Sequence, residues 1–151
     1  MKNFIIIILI TFLYSCGYTS VLKDQKNQDL MITIKKKGGD LQTNNFISNQ
    51  LKLASSSNSI NNFDVSFEST YDKEIIAKDS TGVATDFKIN INVEFTVLSK
   101  NNQKINFKES FNIKNNLKNF EQLEYEREIK QNFASSTKDK LILYLISLDD
   151  N

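Results

Sequence analysis

The sequence predicts an α+β domain in which two helices pack on one face of a four-stranded sheet, in the order β-α-β-β-β-α. Three observations lead to this prediction: one strand with strict alternation of apolar and polar residues, a similar strand directly after it, and a long amphipathic segment near the end of the chain. The chain has 151 residues, of which 40% are hydrophobic and 25% are charged, and these values suit a single folded domain.

The clearest strand lies between residues 87 and 97. Its odd-numbered positions are all apolar: Phe87, Ile89, Ile91, Val93, Phe95 and Val97. Its even-numbered positions carry polar or charged side chains. Because successive side chains of a strand point to opposite faces, this pattern indicates a sheet with one apolar and one polar face. We expect the helices to cover the apolar face, and the polar face to remain open to solvent, a ligand or a partner.

A partner strand follows directly. Its apolar side consists of Ile105, Phe107, Phe111 and Ile113, and Glu109 interrupts it. Both apolar sets have odd numbers, so paired residue numbers must sum to an even value, and the loop must contain an odd number of residues. We predict a three-residue loop, 100–102, with Asn102 in the left-handed conformation that asparagine tolerates. This register pairs Glu94 with Lys108 on the polar face.

The first strand and the first helix rest on shorter patterns. Leu30–Lys35 is rich in β-branched residues and predicts a strand, and the lysines and glycines that follow, through Gly39, predict a solvated strand end and a flexible turn. Residues 43–55 predict a helix capped by Thr43 or Asn44. Its apolar face consists of Phe46, Ile47, Leu51 and Ala54.

A further strand begins at Phe63 and extends or bulges as far as Lys78, before a turn. The last element is a long helix, roughly Phe120–Leu148, capped by Asn119. Its apolar stripe consists of Ile129, Phe133, Ala134, Leu141, Tyr144, Leu145 and Leu148. The acidic residues near its start suit the positive end of the helix dipole, and we expect them on a solvated face: Glu121, Glu124, Glu126 and Glu128.

The beginning of the chain has the three-part form of an export signal: a positive start at Lys2, the apolar run Phe4–Leu13, and a small residue before Cys16. The apolar run has ten residues, whereas a helix that spans a bilayer needs about 20. We therefore predict a signal peptide at residues 1–15 and a single periplasmic α+β domain at residues 16–151. Two alternatives remain open: an uncleaved anchor, and ordinary cleavage that leaves a free cysteine.

The four residues Leu13-Tyr14-Ser15-Cys16 resemble the bacterial lipobox, although Tyr14 is bulkier than usual. The resemblance implies that Cys16 is the lipidation site and carries a diacylglycerol and a further acyl chain such as palmitate. Several acyl chains form a stable membrane anchor, whereas one chain binds only reversibly. Gly17 follows the cysteine in place of aspartate, which by resemblance to Gram-negative lipoproteins favours sorting to the outer membrane.

Several classes of function are excluded by what the composition lacks. The 19 basic and 18 acidic residues give a net charge of +1, so we expect no nucleic-acid partner. The chain has no histidine, and its one cysteine belongs to the lipidation motif, so we expect no metal site, no cofactor and no enzyme activity. The serines at 55–57 match no nucleophile motif.

The mature chain resembles the LPS-assembly lipoprotein family LptE. The resemblance rests on the lipidated start Cys16-Gly17-Tyr18, on the order of the elements, and on a terminal helix with an acidic beginning at residues 121–127. Relatives often carry a proline shortly after the start, whereas this chain has none. The resemblance covers nearly the whole mature chain.

The resemblance implies that the protein sits in an LptD-like outer-membrane β-barrel, on the periplasmic side, and helps lipopolysaccharide reach the outer leaflet. In relatives, basic residues on the sheet contact lipopolysaccharide. The candidates on the predicted polar face are Lys88, Lys104 and Lys108, whose ammonium groups could meet a phosphate of lipid A. The alternative is that these are ordinary solvated lysines, and that Lys108 pairs with Glu94.

A rival interpretation is a different small outer-membrane lipoprotein, which serves as an accessory subunit of another lipid-transport or barrel-assembly complex. The anchor and the shape of the domain would be the same in both cases.

Overall fold

The computed structural model describes residues 30–57, 59, 61–98, 102–115 and 118–149. Its elements, in chain order, are β1 (Leu30–Gly39), α1 (Leu41–Ala54), β2 (Asn61–Lys78), β3 (Ala84–Val97), β4 (Gln103–Lys114) and α2 (Asn119–Asp149). The predicted α+β class and the order β-α-β-β-β-α are therefore confirmed. The predicted signal peptide and the lipidation site Cys16 lie outside the described residues.

The four strands form one sheet in the order β1-β2-β3-β4. The β1–β2 pair is parallel, and the other two pairs are antiparallel. The odd-numbered side chains of β3 lie beneath the helices, and five of them are at most 1% exposed: Ile89, Ile91, Val93, Phe95 and Val97. The alternation in this strand thus predicted its buried face correctly, because burial on one face imposes a period of two.

The β3–β4 hairpin has a different register from the predicted one. Val97 pairs with Gln103 and Glu94 with Asn106, so the connecting loop is 98–102 and the predicted pair of Glu94 with Lys108 is wrong. Asn102 has φ 45, which confirms its left-handed conformation. The apolar pattern could not distinguish the two registers, because a shift of two residues leaves every side chain on its own face.

The observed register matches apolar residues at the far end of the hairpin. It places Phe87 opposite Ile113, whereas the predicted register would have placed Phe87 opposite Asn115. The longer loop therefore places Phe87 directly opposite an apolar residue of β4, and such cross-strand pairs stabilise a sheet.

The end of β1 is a strand rather than the predicted flexible turn. Gly38 and Gly39 pair with Glu68 and Ser69 of β2. Gly39 has φ +89, and a Cβ atom built on it would lie 1.8 Å from the carbonyl oxygen of Ser69. Only glycine allows this close approach, so the two backbones meet directly where β1 leads into α1.

Helix α1 begins two residues earlier than predicted, because Asp40 is its cap. The Asp40 carboxylate accepts hydrogen bonds from the backbone N–H and the hydroxyl of Thr43, at 2.9 and 2.5 Å. The predicted caps Thr43 and Asn44 are therefore wrong. Both residues are buried within the helix. Thr43 lies three residues after the cap, and its backbone N–H donates the hydrogen bond that the cap accepts.

Helix α2 buries the predicted apolar stripe. Five of its residues are at most 4% exposed: Ile129, Phe133, Ala134, Leu141 and Leu145. Tyr144 and Leu148 are partly buried against the same core. Within the described part of the chain, no helix is long and apolar enough to cross a membrane.

Candidate functional site

The candidate site is the open face of the sheet, which we define as the even-numbered side chains of β2, β3 and β4. Rows of these side chains cross the sheet: Glu68, Glu94 and Asn106; Thr70, Asn92 and Lys108; Asp72, Asn90 and Ser110; Glu74, Lys88 and Asn112. Neither of the two described helices covers this face, since both pack on the odd-numbered side. The face is therefore polar and accessible along three strands, as the alternation predicted.

Charge is distributed in stripes across the open face. The acidic side chains on the β2 part are Asp64, Glu68, Asp72 and Glu74. The basic side chains on the β4 part are Lys104, Lys108 and Lys114, and this part contains no acidic residue. A negative ligand group is consequently attracted to the β4 side of the face and repelled from the β2 side.

All three predicted lysines lie on the open face, but they do not form one cluster. Lys104 and Lys108 are four residues apart on one strand, a separation of about 13 Å at 3.3 Å per residue. Lys88 lies on β3, between Glu74 of β2 and Asn112 of β4. The three ammonium groups could therefore contact separate parts of one large ligand, and they do not surround a single small anion.

The three lysines differ in their neighbours. Lys104 donates a hydrogen bond to Glu94 at 2.7 Å, and this bond raises the pKa of the Lys104 ammonium above its ordinary value. Glu94 therefore pairs with Lys104 and not, as predicted, with Lys108. Lys108 is exposed opposite Asn92 and makes no ion pair with any residue that the structure describes. It is the most available of the three ammonium groups.

Amides and hydroxyls occupy the middle of the open face. Ser110 donates to the side-chain oxygen of Asn90 at 2.7 Å, and the Asn90 amide donates to Glu74 at 3.1 Å. The neighbouring Asn92 side chain has a buried oxygen with no hydrogen-bond partner among the described residues. Such amide and hydroxyl groups suit polar recognition of a ligand.

A second polar cluster lies on the helix side of the sheet and joins β2 to α2. The Glu126 carboxylate accepts hydrogen bonds from Lys73 at 2.5 Å, from the Tyr71 hydroxyl at 2.8 Å and from Gln122 at 3.0 Å. The prediction that Glu126 belongs to a solvated face is therefore wrong. This residue turns towards the sheet because β2 places two donors beneath the first turns of α2.

The same cluster extends to the start of α1. The Lys130 ammonium lies 3.3 Å from Asp40, 3.0 Å from Gln42 and 3.8 Å from the centre of the Tyr71 ring. Lys130 is only 6% exposed. Its ammonium therefore has little contact with water, and these partners take the place of the missing hydration. Asp40 thus serves both as the cap of α1 and as the counter-ion of Lys130 on α2.

The carboxylates of this cluster ionise readily despite their burial. Burial disfavours the charged form of Glu126, but the hydrogen bonds from Lys73, Gln122 and Tyr71 outweigh it and hold its pKa below the ordinary value. Burial likewise opposes ionisation of Asp40, while the bonds from Thr43 and the charge of Lys130 lower its pKa. Burial raises the pKa of Tyr71, and its bond to Glu126 adds to that effect. The cluster is a structural connection between the two helices and β2.

Other features of the described residues indicate no reactive centre. Among residues 30–57, 59, 61–98, 102–115 and 118–149, no group of acidic side chains could hold a metal ion. A shallow cleft of about 380 Å³ at the β2–β3 turn contains Asp79, Asp86 and Lys114, and it includes none of the three candidate lysines.

The fold has counterparts among solved structures. The chain is similar to the crystal structure of rare lipoprotein B from Shewanella oneidensis, with a TM-score of 0.57 and 10% identity over 81% of this chain and 96% of that one. A crystal structure from Caulobacter crescentus, described as that of a lipoprotein, gives a TM-score of 0.52 and 15% identity over 76% and 89%. This similarity establishes a shared fold. No protein-family model and no curated protein matches the sequence.

Proposed function

We propose that this chain is an outer-membrane lipoprotein of the LptE type, which acts with an LptD-like β-barrel in the assembly and transport of lipopolysaccharide to the outer leaflet. The observation that carries the proposal is the fold shared with rare lipoprotein B, a member of the LptE family. The export signal and Cys16 support a lipid anchor that holds the domain at the periplasmic face of the outer membrane.

The end of the β2–β3 hairpin is one surface that we propose for contact with a barrel wall. Three large apolar side chains near this turn are about half exposed: Ile75 at 52%, Ile76 at 48% and Val83 at 50%. Exposed apolar groups that lie close together are typical of a surface that a partner covers. Asp79 closes the turn by accepting hydrogen bonds from the backbone N–H groups of Thr81 and Val83.

Lys108 is the residue we propose for contact with a lipopolysaccharide phosphate. Lys104 already donates to Glu94, and Lys88 is half-buried opposite Glu74, whose negative charge would repel a phosphate. The Lys108 ammonium has no such competitor among the described residues and lies on the basic side of the open face. An ammonium binds phosphate as a point charge and needs no fixed geometry.

The partner is tested by purifying the tagged full-length protein from detergent-solubilised membranes and identifying what accompanies it. The proposal expects an LptD-like barrel in stoichiometric amount, and expects that depletion of this chain lowers both the barrel and surface lipopolysaccharide. A Cys16→Ser variant should lose the membrane anchor and keep its fold. Recovery of a different barrel or transporter, with lipopolysaccharide unchanged, would identify another complex and refute the proposal.

The ligand is tested by measuring binding of purified lipopolysaccharide to the detergent-solubilised protein. Lys108→Gln should weaken binding up to about five-fold, because an exposed ion pair contributes roughly 0.2–1 kcal/mol. Lys52→Gln is the matched control, since Lys52 is an exposed lysine on α1. Equal binding by both variants would exclude Lys108 as a contact.

A further inference from the structure

The two edges of the sheet differ in their readiness to accept another strand. β1 forms one edge, and its pairing with β2 shifts register between Ile34 and Lys36. Three consecutive lysines, 35–37, lie at this irregularity. An irregular, lysine-rich strand discourages further pairing, and proteins commonly protect sheet edges in this way.

β4 forms the other edge and has no such irregularity. All twelve residues of Gln103–Lys114 pair one-for-one with β3, without a register shift. In an edge strand, alternate backbone N–H and C=O groups point away from the sheet and are free to pair again. Within the described part of the chain, no strand pairs with this outer side of β4.

An inward-pointing charge would normally protect such an edge, and β4 contains one at Glu109. Its carboxylate, however, accepts hydrogen bonds from Ser136 and Lys140 of α2, both at 3.0 Å. The charge is therefore neutralised beneath the helix, and it does not bar a neighbouring strand.

The apolar row of β4 is only partly covered. Ile105, Phe107 and Phe111 are partly buried, whereas the β3 residues opposite them are fully buried. Leu143, which is 57% exposed, lies one turn from Lys140 on the flank of α2 that faces β4. An added strand would bury apolar side chains against this row and this flank, so the core would gain one more covered strand.

The charge of the edge indicates what kind of strand fits. The open-face side chains of β4 comprise three lysines and no acid, and Lys108 lacks an ion pair among the described residues. Opposite charges on directly facing residues stabilise neighbouring strands, and like charges destabilise them. A second copy of this chain fits poorly, because antiparallel β4–β4 pairing brings no carboxylate to the lysines of the open face.

We infer that the outer edge of β4 is a docking site for an extended segment of a partner protein, in which apolar residues alternate with acidic ones. The apolar side chains would lie beneath α2, the acidic ones would lie beside the lysines of the open face, and backbone hydrogen bonds would supply much of the affinity. This site shares Lys108 with the proposed phosphate contact, so an acidic strand and a phosphate would compete for that ammonium, but strand docking does not depend on which barrel the protein accompanies.

The test uses the full-length protein in detergent and short capped peptides of alternating valine and glutamate, with a valine–lysine peptide as the control. The acidic peptide should bind more tightly and should slow amide hydrogen exchange in β4. Methylation of every second backbone nitrogen of the peptide, on the edge that pairs, should abolish binding. Lys108→Glu should weaken the acidic peptide about five-fold and favour the basic one, since an attractive cross-strand pair becomes repulsive.

Lys36→Glu is the matched control, because it makes the same charge change at the β1 edge and should leave both peptides unaffected. The inference fails if neither peptide binds below about 1 mM, or if Lys36→Glu has the same effect as Lys108→Glu. It also fails if the β4 amides are already fully protected without peptide, since the edge would then be covered by the chain's own residues.

Discussion

Gly39 shows how one residue can determine the junction between β1 and α1. Its φ of +89 and the 1.8 Å that would separate an added Cβ from the Ser69 oxygen exclude any side chain. Gly82 has a similar φ of +88, but nothing lies within 4 Å of an added Cβ. Substitution of Gly82 by alanine therefore introduces only an unfavourable backbone conformation, whereas substitution of Gly39 introduces the same conformation and a steric clash.

We predict that Gly39→Ala lowers the free energy of unfolding by more than about 3 kcal/mol, because the backbones of β1 and β2 must move apart. Gly82→Ala should cost only about 1–2 kcal/mol, the penalty of a left-handed alanine. Urea unfolding followed by circular dichroism measures both values. Equal losses would show that no steric clash occurs at Gly39.

Glu126 is the residue whose role the sequence could not reveal. Its donor Lys73 is 53 residues away in the chain, and no local pattern marks the two as partners. The acidic beginning of α2 suggested a solvated face. The residues around Glu126 in the sequence do not indicate which strand packs against this part of the helix.

We predict that Glu126→Gln lowers the free energy of unfolding by about 1–3 kcal/mol, because Lys73 loses its counter-charge in a partly buried position. Glu128→Gln, at an exposed position on the same helix, should change it by less than about 0.5 kcal/mol. Comparison of their urea midpoints tests the difference, and a comparable loss in both variants would contradict the role of Glu126.

At the scale of elements, α1 depends on a cap that also serves α2. Asp40 holds the first turn of α1 through Thr43 and lies 3.3 Å from the Lys130 ammonium. The two roles can be separated by substitution, since asparagine can still cap a helix but carries no charge.

We predict that Asp40→Ala costs about 2–4 kcal/mol, because it removes the cap and leaves Lys130 short of a partner. Asp40→Asn should cost less, since it retains the hydrogen bond to the Thr43 backbone. Thermal and urea unfolding of both variants provide the measurement. If the two variants lost the same stability, the cap would contribute nothing beyond the ion pair.

The hairpin shows what a residue pattern can and cannot predict about an element. Alternation predicted which side chains of β3 and β4 share a face, and the odd loop length and left-handed Asn102 were confirmed. The register itself differed by two residues, because such a shift preserves both faces. Only the packing of the whole strand, such as Phe87 against Ile113, selects one of the registers.

At the scale of the whole molecule, the fold class followed from local patterns, since apolar periodicity reports burial on one face of each element. The site was predicted only in part. The open face and its lysines were located correctly, because they depend on the same alternation. The pairing of Lys104 with Glu94 and the cluster around Glu126 depend on register and on helix docking, which no local pattern encodes.

The buried cluster also predicts how stability depends on pH. The pKa values of Asp40 and Glu126 in the folded protein lie below their ordinary values of 3.8 and 4.5. In acid the unfolded chain therefore binds more protons than the folded one. The two carboxylates stabilise the fold at any pH above their ordinary pKa values, and this stabilisation is lost as the pH falls through their lower pKa values in the folded protein.

We expect the urea midpoint to fall as pH decreases from about 5 to about 3. The double variant Asp40→Asn, Glu126→Gln should show a smaller decrease over the same range, although its midpoint is lower at neutral pH. An unchanged pH dependence in the double variant would assign acid sensitivity to other carboxylates.

The parallel pairing of β1 with β2 has a mechanical consequence for a protein held by its N-terminal end. Tension that reaches Leu30 along the axis of β1 pulls this strand past β2 and does not peel it away. The nine residue pairs that join the two strands are then loaded together, and they must break almost simultaneously. With a lipid on Cys16, a pull on the anchor that reaches β1 would meet the resistance of all nine pairs at once.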